Sequence, residues 1–421
     1  MIASSPRVTV EAARSLLCQR LAEPAPGRIQ LLAGPRQVGK TTLLLDFAKQ
    51  HDREALYAAA DGPEAGIPGF WQRLWRRAEE IATAQGRAIV LLDEAHVMPG
   101  WSAHLKSEWD RIRRLGLRMH IVATGSSALR LATGSRESLA GRFERITLGH
   151  WSASALASTF DLEPHHAAEI FVRQGAYPGA FGLRDDLHRW TAYVRDAILE
   201  PAIGRDLLAL AAIRKPGLLR QVFGVCAASP ARIVSLQKIQ GRLQDAGALE
   251  TIAHYLSLLE AAFLVASLAK HSPKPTRQRA SPPKLVALSN ALLAAADPRG
   301  IPDRSVEGAR FGDWVENACL AHAWNAGQNV SYWREEPLEV DAVVDGSWGR
   351  FAIEVTTGAL DAPDLNGIAE FCRRHRDHEP LVVCEPSEFA VPARLGLKSI
   401  DWRDFLCSGP NPAPTRAKRN S

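Results

Sequence analysis

Hydrophobic positions along the chain change period several times, and each change marks an element. Ala12, Leu16, Leu17 and Leu21 recur at helical spacing and predict a first helix from Val8 to about Ala22, ended by the Pro24 to Gly27 loop. Arg28 to Ala33 reads as a short apolar strand, followed by a glycine loop and a helix from Gly39 to about Gln50. Ala55 to Ala60 suits a second strand, and Phe70 to Gln85 a helix rich in Trp and Arg. Ala88 to Leu92 is wholly apolar, Trp101 to Leu115 is amphipathic, and Met119 to Thr124 returns to strand character. Wholly apolar strands alternating with helices predict a parallel sheet covered on both faces, in an α/β domain that closes near residue 150.

Beyond Ser152 the pattern is helical, over Pro164 to Gln174, Asp185 to Leu199 and Gly217 to Cys226. Val234 to Leu243, a turn at Asp245 to Gly247, Ala248 to Glu260 and an apolar strand from Ala262 to Ala269 give the outline of a winged helix. Residues 270–284 hold four prolines and no acid, the pattern of a loop or linker. A helix from Arg310 to Trp324 then precedes strand-like stretches at Val330 to Trp333, Glu339 to Val344, Phe351 to Thr356 and Leu381 to Cys384. The expected organisation is therefore a parallel-sheet domain at 1–150, a helical and winged-helix region at 151–269, the loop at 270–284, a C-terminal α/β domain at 285–408 and a disordered tail at 409–421.

Composition narrows the class. With 46% hydrophobic and 23% charged residues among 421, the chain is ordinary globular material for more than one core. Six cysteines without a CxxC pair read as reduced thiols of a cytoplasmic protein. Cys372, His375, His378 and Cys384 are the sharpest metal candidates of that kind, but their basic, helix-like setting favours a solvated face. No apolar run is long enough to span a membrane, and the first residues lack a signal core. The formal charge is +5, concentrated in Lys270, Lys274, Arg277, Arg279 and Lys284 and in the tail, where an acidic partner is expected.

The chemistry concentrates in the first domain. Gly34, Pro35, Arg36, Gln37, Val38, Gly39, Lys40 and Thr41 fit GxxxxGK[ST] between a predicted strand and a predicted helix, with Thr42 following. Such a loop wraps phosphate with backbone N–H groups, its lysine reaches the β- and γ-phosphates, and its hydroxyl ligates Mg²⁺. The next buried strand ends in Asp93 and Glu94, which places Asp93 at the metal and Glu94 as general base toward an attacking water. The strand ending Thr124-Gly125-Ser126-Ser127 offers a hydroxyl between these elements, with a helix cap as the alternative. Arg142 is a candidate arginine finger, in cis or across a subunit boundary, or a structural ion pair.

These residues are familiar in combination. GPRQVGKTTLL, LLDEAH, ATGSSA and ESLAGRFE, followed by QGAYPGAF, WREEPLEVDAVVD and FAIEVTTG, resemble the prokaryotic AAA-type ATPases that carry a restriction-endonuclease-like domain of unknown function at the C-terminal end. The resemblance spans almost the whole chain and implies ATP as ligand with Mg²⁺, catalysis by Lys40, Glu94, Ser126 or Ser127 and Arg142, and metal ligation by Thr41 and Asp93. Members usually have Ile-Gln after the acidic pair, where this chain has Ala95-His96, a change at the neighbouring polar position that leaves the base intact. DEAH also spells a helicase motif, but nothing after residue 150 supplies the second parallel sheet which that reading requires.

In the C-terminal domain Glu316, Asp341 and Glu354 follow the order of a PD-(D/E)xK nuclease core and form a weak second metal site, while Thr356 stands where that core needs its lysine. The expectation is a nuclease-like fold without cleavage. The second helix of the winged-helix outline carries Glu250, His254 and Glu260 and no Lys or Arg, so sequence-specific reading of DNA is not expected from it. Non-specific nucleic-acid contact through Lys270, Lys274, Arg277, Arg279 and Lys284 is. The leading expectation is Mg²⁺-dependent ATP hydrolysis coupled to a protein partner, a second copy or nucleic acid. The alternatives are an ATP-bound switch with little turnover and an ATP-gated nuclease.

Overall fold

The computed structural model describes residues 7–125, 139–207, 213, 215–244, 247–272 and 281–411. The chain divides into two compact units, Met1–Gly149 and His150–Ser421, so the stretches expected as separate helical and C-terminal domains lie within one unit. Overall the fold is α/β: a parallel-sheet first unit, a helical middle and a C-terminal α/β sheet.

In the first unit β1 (Arg7–Val8), β2 (Ile29–Ala33), β3 (Ala55–Ala59), β4 (Ala88–Asp93), β5 (Met119–Gly125) and β6 (Phe143–Leu148) form a sheet in the order β1-β6-β2-β5-β4-β3. Every pairing is parallel. All residues of β2, β4 and β5 are buried, which is why their sequences are mainly apolar, broken only by Gln30, Asp93, His120 and Thr124, rather than alternating. The helices α1 (Val10–Leu21), α2 (Lys40–Gln50), α3 (Phe70–Gln85) and α4 (Trp101–Leu115) belong to this unit. On α3 the stripe Phe70, Leu74, Trp75 and Ala78, and on α4 the stripe Trp101, Leu105, Trp109 and Ile112, pack into one core with Leu31, Val90, Leu92 and Ile121.

Two of the strands are absent from the sequence reading. The two-residue β1 is too short to show a period, and β6 mixes Glu144 and Arg145 with its apolar positions. Glu144 is paired with Arg28 at 2.9 Å and Arg20 at 3.3 Å, so charge here belongs to a half-buried strand rather than a loop.

The second unit opens with helices at Ala153–Phe160, Pro164–Gln174 and Leu187–Tyr193, the last running on in π-helical geometry through Val194–Leu199. Helices Leu236–Gln240 and Leu249–Ala261 lead to a three-stranded antiparallel sheet of β7 (Arg232–Ile233), β8 (Val265–Leu268) and β9 (Lys284–Ala287) in the order β7-β9-β8. Lys284, expected in a solvated loop, is therefore the first residue of the central strand.

The last sheet runs β10 (Asn329–Glu335), β11 (Leu338–Gly346), β12 (Gly349–Val355), β13 (Glu379–Cys384) and β14 (Lys398–Asp401) in that order, antiparallel to β12 and parallel beyond. The helix Gly308–Asn325 is tied to β9 by buried amides: Asn317 accepts from the Ala287 N–H at 3.0 Å and donates to the Ala287 carbonyl at 2.9 Å and the Asn290 side chain at 2.8 Å. Asn290 donates in turn to the Val172 and Trp314 carbonyls, so these buried amides are satisfied. Among the described residues no helix is long and apolar enough to cross a membrane.

Candidate active site

In parallel sheets, ligands gather outside the carboxyl ends of the strands. Here Ala33 of β2 stands level with Gly125 of β5, and Leu92 of β4 with Ala123, so the segments leaving these three strands start side by side. β2 delivers the loop from Gly34 to Gly39, β4 delivers Asp93 and Glu94, and β5 lies between them.

The glycines of the loop have different reasons. A Cβ on Gly34 would stand 2.9 Å from Leu148 Cβ and 3.1 Å from its carbonyl oxygen, so close passage over β6 requires a bare Cα. Gly39 has φ +94°, a left-handed conformation at the N-cap of α2 that an L side chain rarely adopts, and Gln37 is also left-handed at φ 56°. Lys40 is buried, and its Nζ donates to the carbonyls of Gly34 (3.1 Å) and Pro35 (2.6 Å) across the loop it closes. Thr41 and Thr42 follow in the exposed first turn of α2.

Asp93 is buried at the end of β4. Its Oδ2 accepts from the Tyr57 hydroxyl at 3.1 Å, and its Oδ1 accepts from the Thr124 hydroxyl, which itself accepts from the Glu94 N–H at 3.0 Å. Burial, the Asp93 charge and its hydrogen bond push the Tyr57 phenol up to about 12, so it remains a donor at neutral pH. Glu94 sits at φ 49°, ψ 36°, a left-handed backbone for a non-glycine residue, with its N–H shared between Thr124 Oγ1 and Asp93 Oδ1 at 3.2 Å. Its Oε2 lies 3.3 Å from Nδ1 of the buried His96.

Thr124, two residues before the expected Ser126, sets its hydroxyl against Asp93 and the Glu94 N–H; Ser126 and Ser127 lie outside the described residues. Tyr57 was missed because a lone tyrosine in a strand carries no motif. His96 could have been found from its departure from Ile-Gln after the acids. Of the two roles weighed for Arg142 the structure displays the ion pair: Nε and Nη2 reach the Asp110 carboxylate at 2.9 and 3.2 Å, and the guanidinium lies over Trp109.

The C-terminal acids also meet, but around a lysine. Lys284, 1% exposed, places Nζ 2.6 Å from Glu316 Oε1 and 2.9 Å from Asp341 Oδ1, with Glu339 Oε1 at 3.7 Å. Its assignment to a nucleic-acid surface is corrected: β9 pairing turns it inward, onto carboxylates. Lys270 is half-buried beside Tyr332, and Lys274, Arg277 and Arg279 lie outside the described residues. Burial raises the Glu354 carboxyl well above its ordinary range, reinforced by the charge of Asp341, and its buried Oε2 has no hydrogen-bond partner among the described residues. Burial likewise raises Glu316, with the Asp341 charge adding to it against the pull of Lys284. Among the described residues no group of three or more His, Cys, Asp or Glu is arranged to hold a metal ion, so Glu316, Asp341 and Glu354 are brought near one another without forming one. His375 and His378, weighed as ligands with Cys372 and Cys384, pack instead with His271 around the Phe371 ring.

Comparison with known proteins gives three matches along the chain. Residues 26–156 match the family described as AAA domain, residues 168–304 a domain of unknown function (DUF8612) and residues 311–402 another (DUF4143). An uncharacterized protein of Mycobacterium tuberculosis is 24% identical over 389 residues, 90% of this chain and 81% of its own length, and one of Mycobacterium bovis matches to the same extent. Among solved structures, the Thermotoga maritima RuvB Holliday junction branch migration motor aligns with TM-score 0.33 and 16% identity, over 72% of this chain and 95% of that one. AMPPCP-bound DnaA from Aquifex aeolicus aligns with TM-score 0.30 and 14% identity, over 60% and 89%. The part of this chain that carries the glycine loop and the acidic pair is thus similar to AAA domains, and the two matches that follow it are to domains of unknown function.

Proposed function

We propose that the N-terminal unit binds ATP with Mg²⁺ and hydrolyses it by in-line attack of water. The residues present suit that cofactor: a glycine loop opening a helix, a hydroxyl at Thr41 and a buried carboxylate at Asp93 are the hard oxygen donors and anion cradle which Mg²⁺-ATP takes. Thr41 and Asp93 would hold the ion, which supplies neutralisation of charge building on the β- and γ-phosphate oxygens. Residues 34–42 provide the phosphate cradle, and Lys40 exchanges the Gly34 and Pro35 carbonyls for phosphate oxygens. Glu94 takes the proton of the attacking water, Ser126 is retained as the γ-phosphate sensor, and Arg142 is assigned to Asp110 in this reading. The observation that carries the proposal is Thr124 binding the Asp93 side chain and the Glu94 backbone together, which fixes the base relative to the metal ligand.

Glu94→Gln tests it by phosphate release and nucleotide affinity. Loss of a general base lowers kcat by about 10²–10⁴-fold with nucleotide binding kept. Equal, negligible turnover in wild type and variant supports the ATP-bound switch instead.

A further inference from the structure

Lys284 has the surroundings of a bound ion rather than of a surface lysine. An ammonium has three N–H donors and no acceptor. Each donor of Lys284 has an oxygen within reach: Glu316 Oε1 at 2.6 Å, Asp341 Oδ1 at 2.9 Å and the Asp341 carbonyl at 3.3 Å. The side chain is 1% exposed. Asp341 is fixed on its far side as well, where Oδ2 accepts from the Val355 N–H at 3.0 Å. A divalent cation at this point would need several oxygens converging at about 2.0–2.6 Å. The acids converge on the ammonium instead, and no three-ligand group is arranged for a metal among the described residues.

We propose that Lys284 is the resident cation of this acidic centre: it stands in for a divalent metal between Glu316 and Asp341, and an uncharged side chain in its place turns the centre into a divalent-cation site. The domain then has no need of a lysine after Glu354 to balance its acids. Its acids already have a counter-ion, supplied from β9 rather than β12. Burying three carboxyl groups without a cation is unfavourable, and one covalently attached ammonium meets that need without depending on metal supply. A route for an external ion exists, since a cavity of about 520 Å³ lined by Asp313, Glu316, Thr356 and Thr357 opens beside the centre.

The test uses the nucleotide-free full chain, with Mn²⁺ as probe and the paramagnetic resonance signal of free Mn²⁺ as readout. Glu354→Gln is the control, because its Oε2 has no hydrogen-bond partner to lose among the described residues. Wild type and Glu354→Gln are expected to bind the same amount of Mn²⁺. Lys284→Met is expected to gain one Mn²⁺ per chain at least tenfold tighter than any wild-type site, and the gain is expected to vanish when Asp341→Asn is added. A wild-type Mn²⁺ site removed by Glu354→Gln overturns the proposal, as does a folded Lys284→Met protein that gains none. If Lys284→Met fails to fold, the comparison of wild type with Glu354→Gln still decides it.

Discussion

Replacing Thr124 by valine keeps the shape of β5 and removes one hydroxyl, and its consequence can be worked out atom by atom. The hydroxyl donates to Asp93 Oδ1 and accepts from the Glu94 N–H at 3.0 Å. Its loss takes one donor from a buried carboxylate oxygen and one acceptor from the Glu94 N–H, which also reaches Asp93 Oδ1 at 3.2 Å, and so loosens the left-handed backbone of Glu94 at φ 49°. A hydrogen bond to a charged group contributes about 1.5–3 kcal/mol. If that energy goes into placing Glu94 and Asp93 for the reaction, kcat falls by roughly tenfold to a hundredfold, at about 1.4 kcal/mol per decade. Steady-state phosphate release gives kcat, and fluorescent-nucleotide titration gives affinity, which changes less because the cradle of residues 34–42 is untouched. Urea titration separates the kinetic loss from a stability loss. Wild-type turnover in Thr124→Val would refute the reasoning, because the base would then be positioned by something other than this hydroxyl.

Further outcomes follow from other contacts. Arg142→Ala and Asp110→Ala should each lower stability by up to about 1 kcal/mol, with the double variant no worse than the larger single effect, because the pair is partly exposed; a turnover loss confined to Arg142→Ala would restore the arginine finger. Gly367→Ala drives a Cβ to within 1.9 Å of the Glu339 carbonyl oxygen on β11, so chemical denaturation should show a loss of about 1–3 kcal/mol or more. At Glu385 burial raises the carboxyl, but hydrogen bonds from Trp402 and Arg403 and the charges of Arg403 and Arg304 outweigh it and leave it below the ordinary range. A carboxyl lowered on folding contributes stability above its unfolded value, about 4.3, and that contribution is lost as pH falls through the folded one. Glu385→Gln should therefore destabilise the protein at neutral pH and flatten its loss of stability in acid, as read by urea titrations across pH 3–7; parallel pH profiles for both proteins would count against the linkage.

The first unit was legible wherever burial is uniform. Strands β2, β4 and β5 are mainly apolar because both faces are covered, and α3 and α4 carry stripes at helical spacing. The phosphate loop and the Asp93-Glu94 pair could be read directly, since their chemistry needs fixed residue types at fixed offsets. Contacts between strands were not legible. Tyr57 meets Asp93 because β3 lies beside β4, and Thr124 because β5 lies on its other side, facts of strand order that no local pattern encodes. Lys284 shows the same limit more sharply. Its neighbours in sequence, Ser281-Pro282-Pro283, give it a loop's composition, whereas antiparallel pairing with Leu268 and Ile233 sets it among acids 32 and 57 residues away.

The position of β1 has a practical consequence for anyone dividing this chain. Val8 pairs with Leu148 and its carbonyl accepts the Gly149 N–H, while on α1 Ala13, Leu17 and Leu21 are buried and Arg20 reaches Gln30 at 2.6 Å. A fragment started at residue 26, where the AAA match begins, would strip this cover and leave β6 as a bare sheet margin beside an uncovered apolar face. Bare margins of that kind recruit strands from other molecules. A fragment of the first unit should accordingly begin before Arg7, with residues 7–21 kept as a clasp on β6.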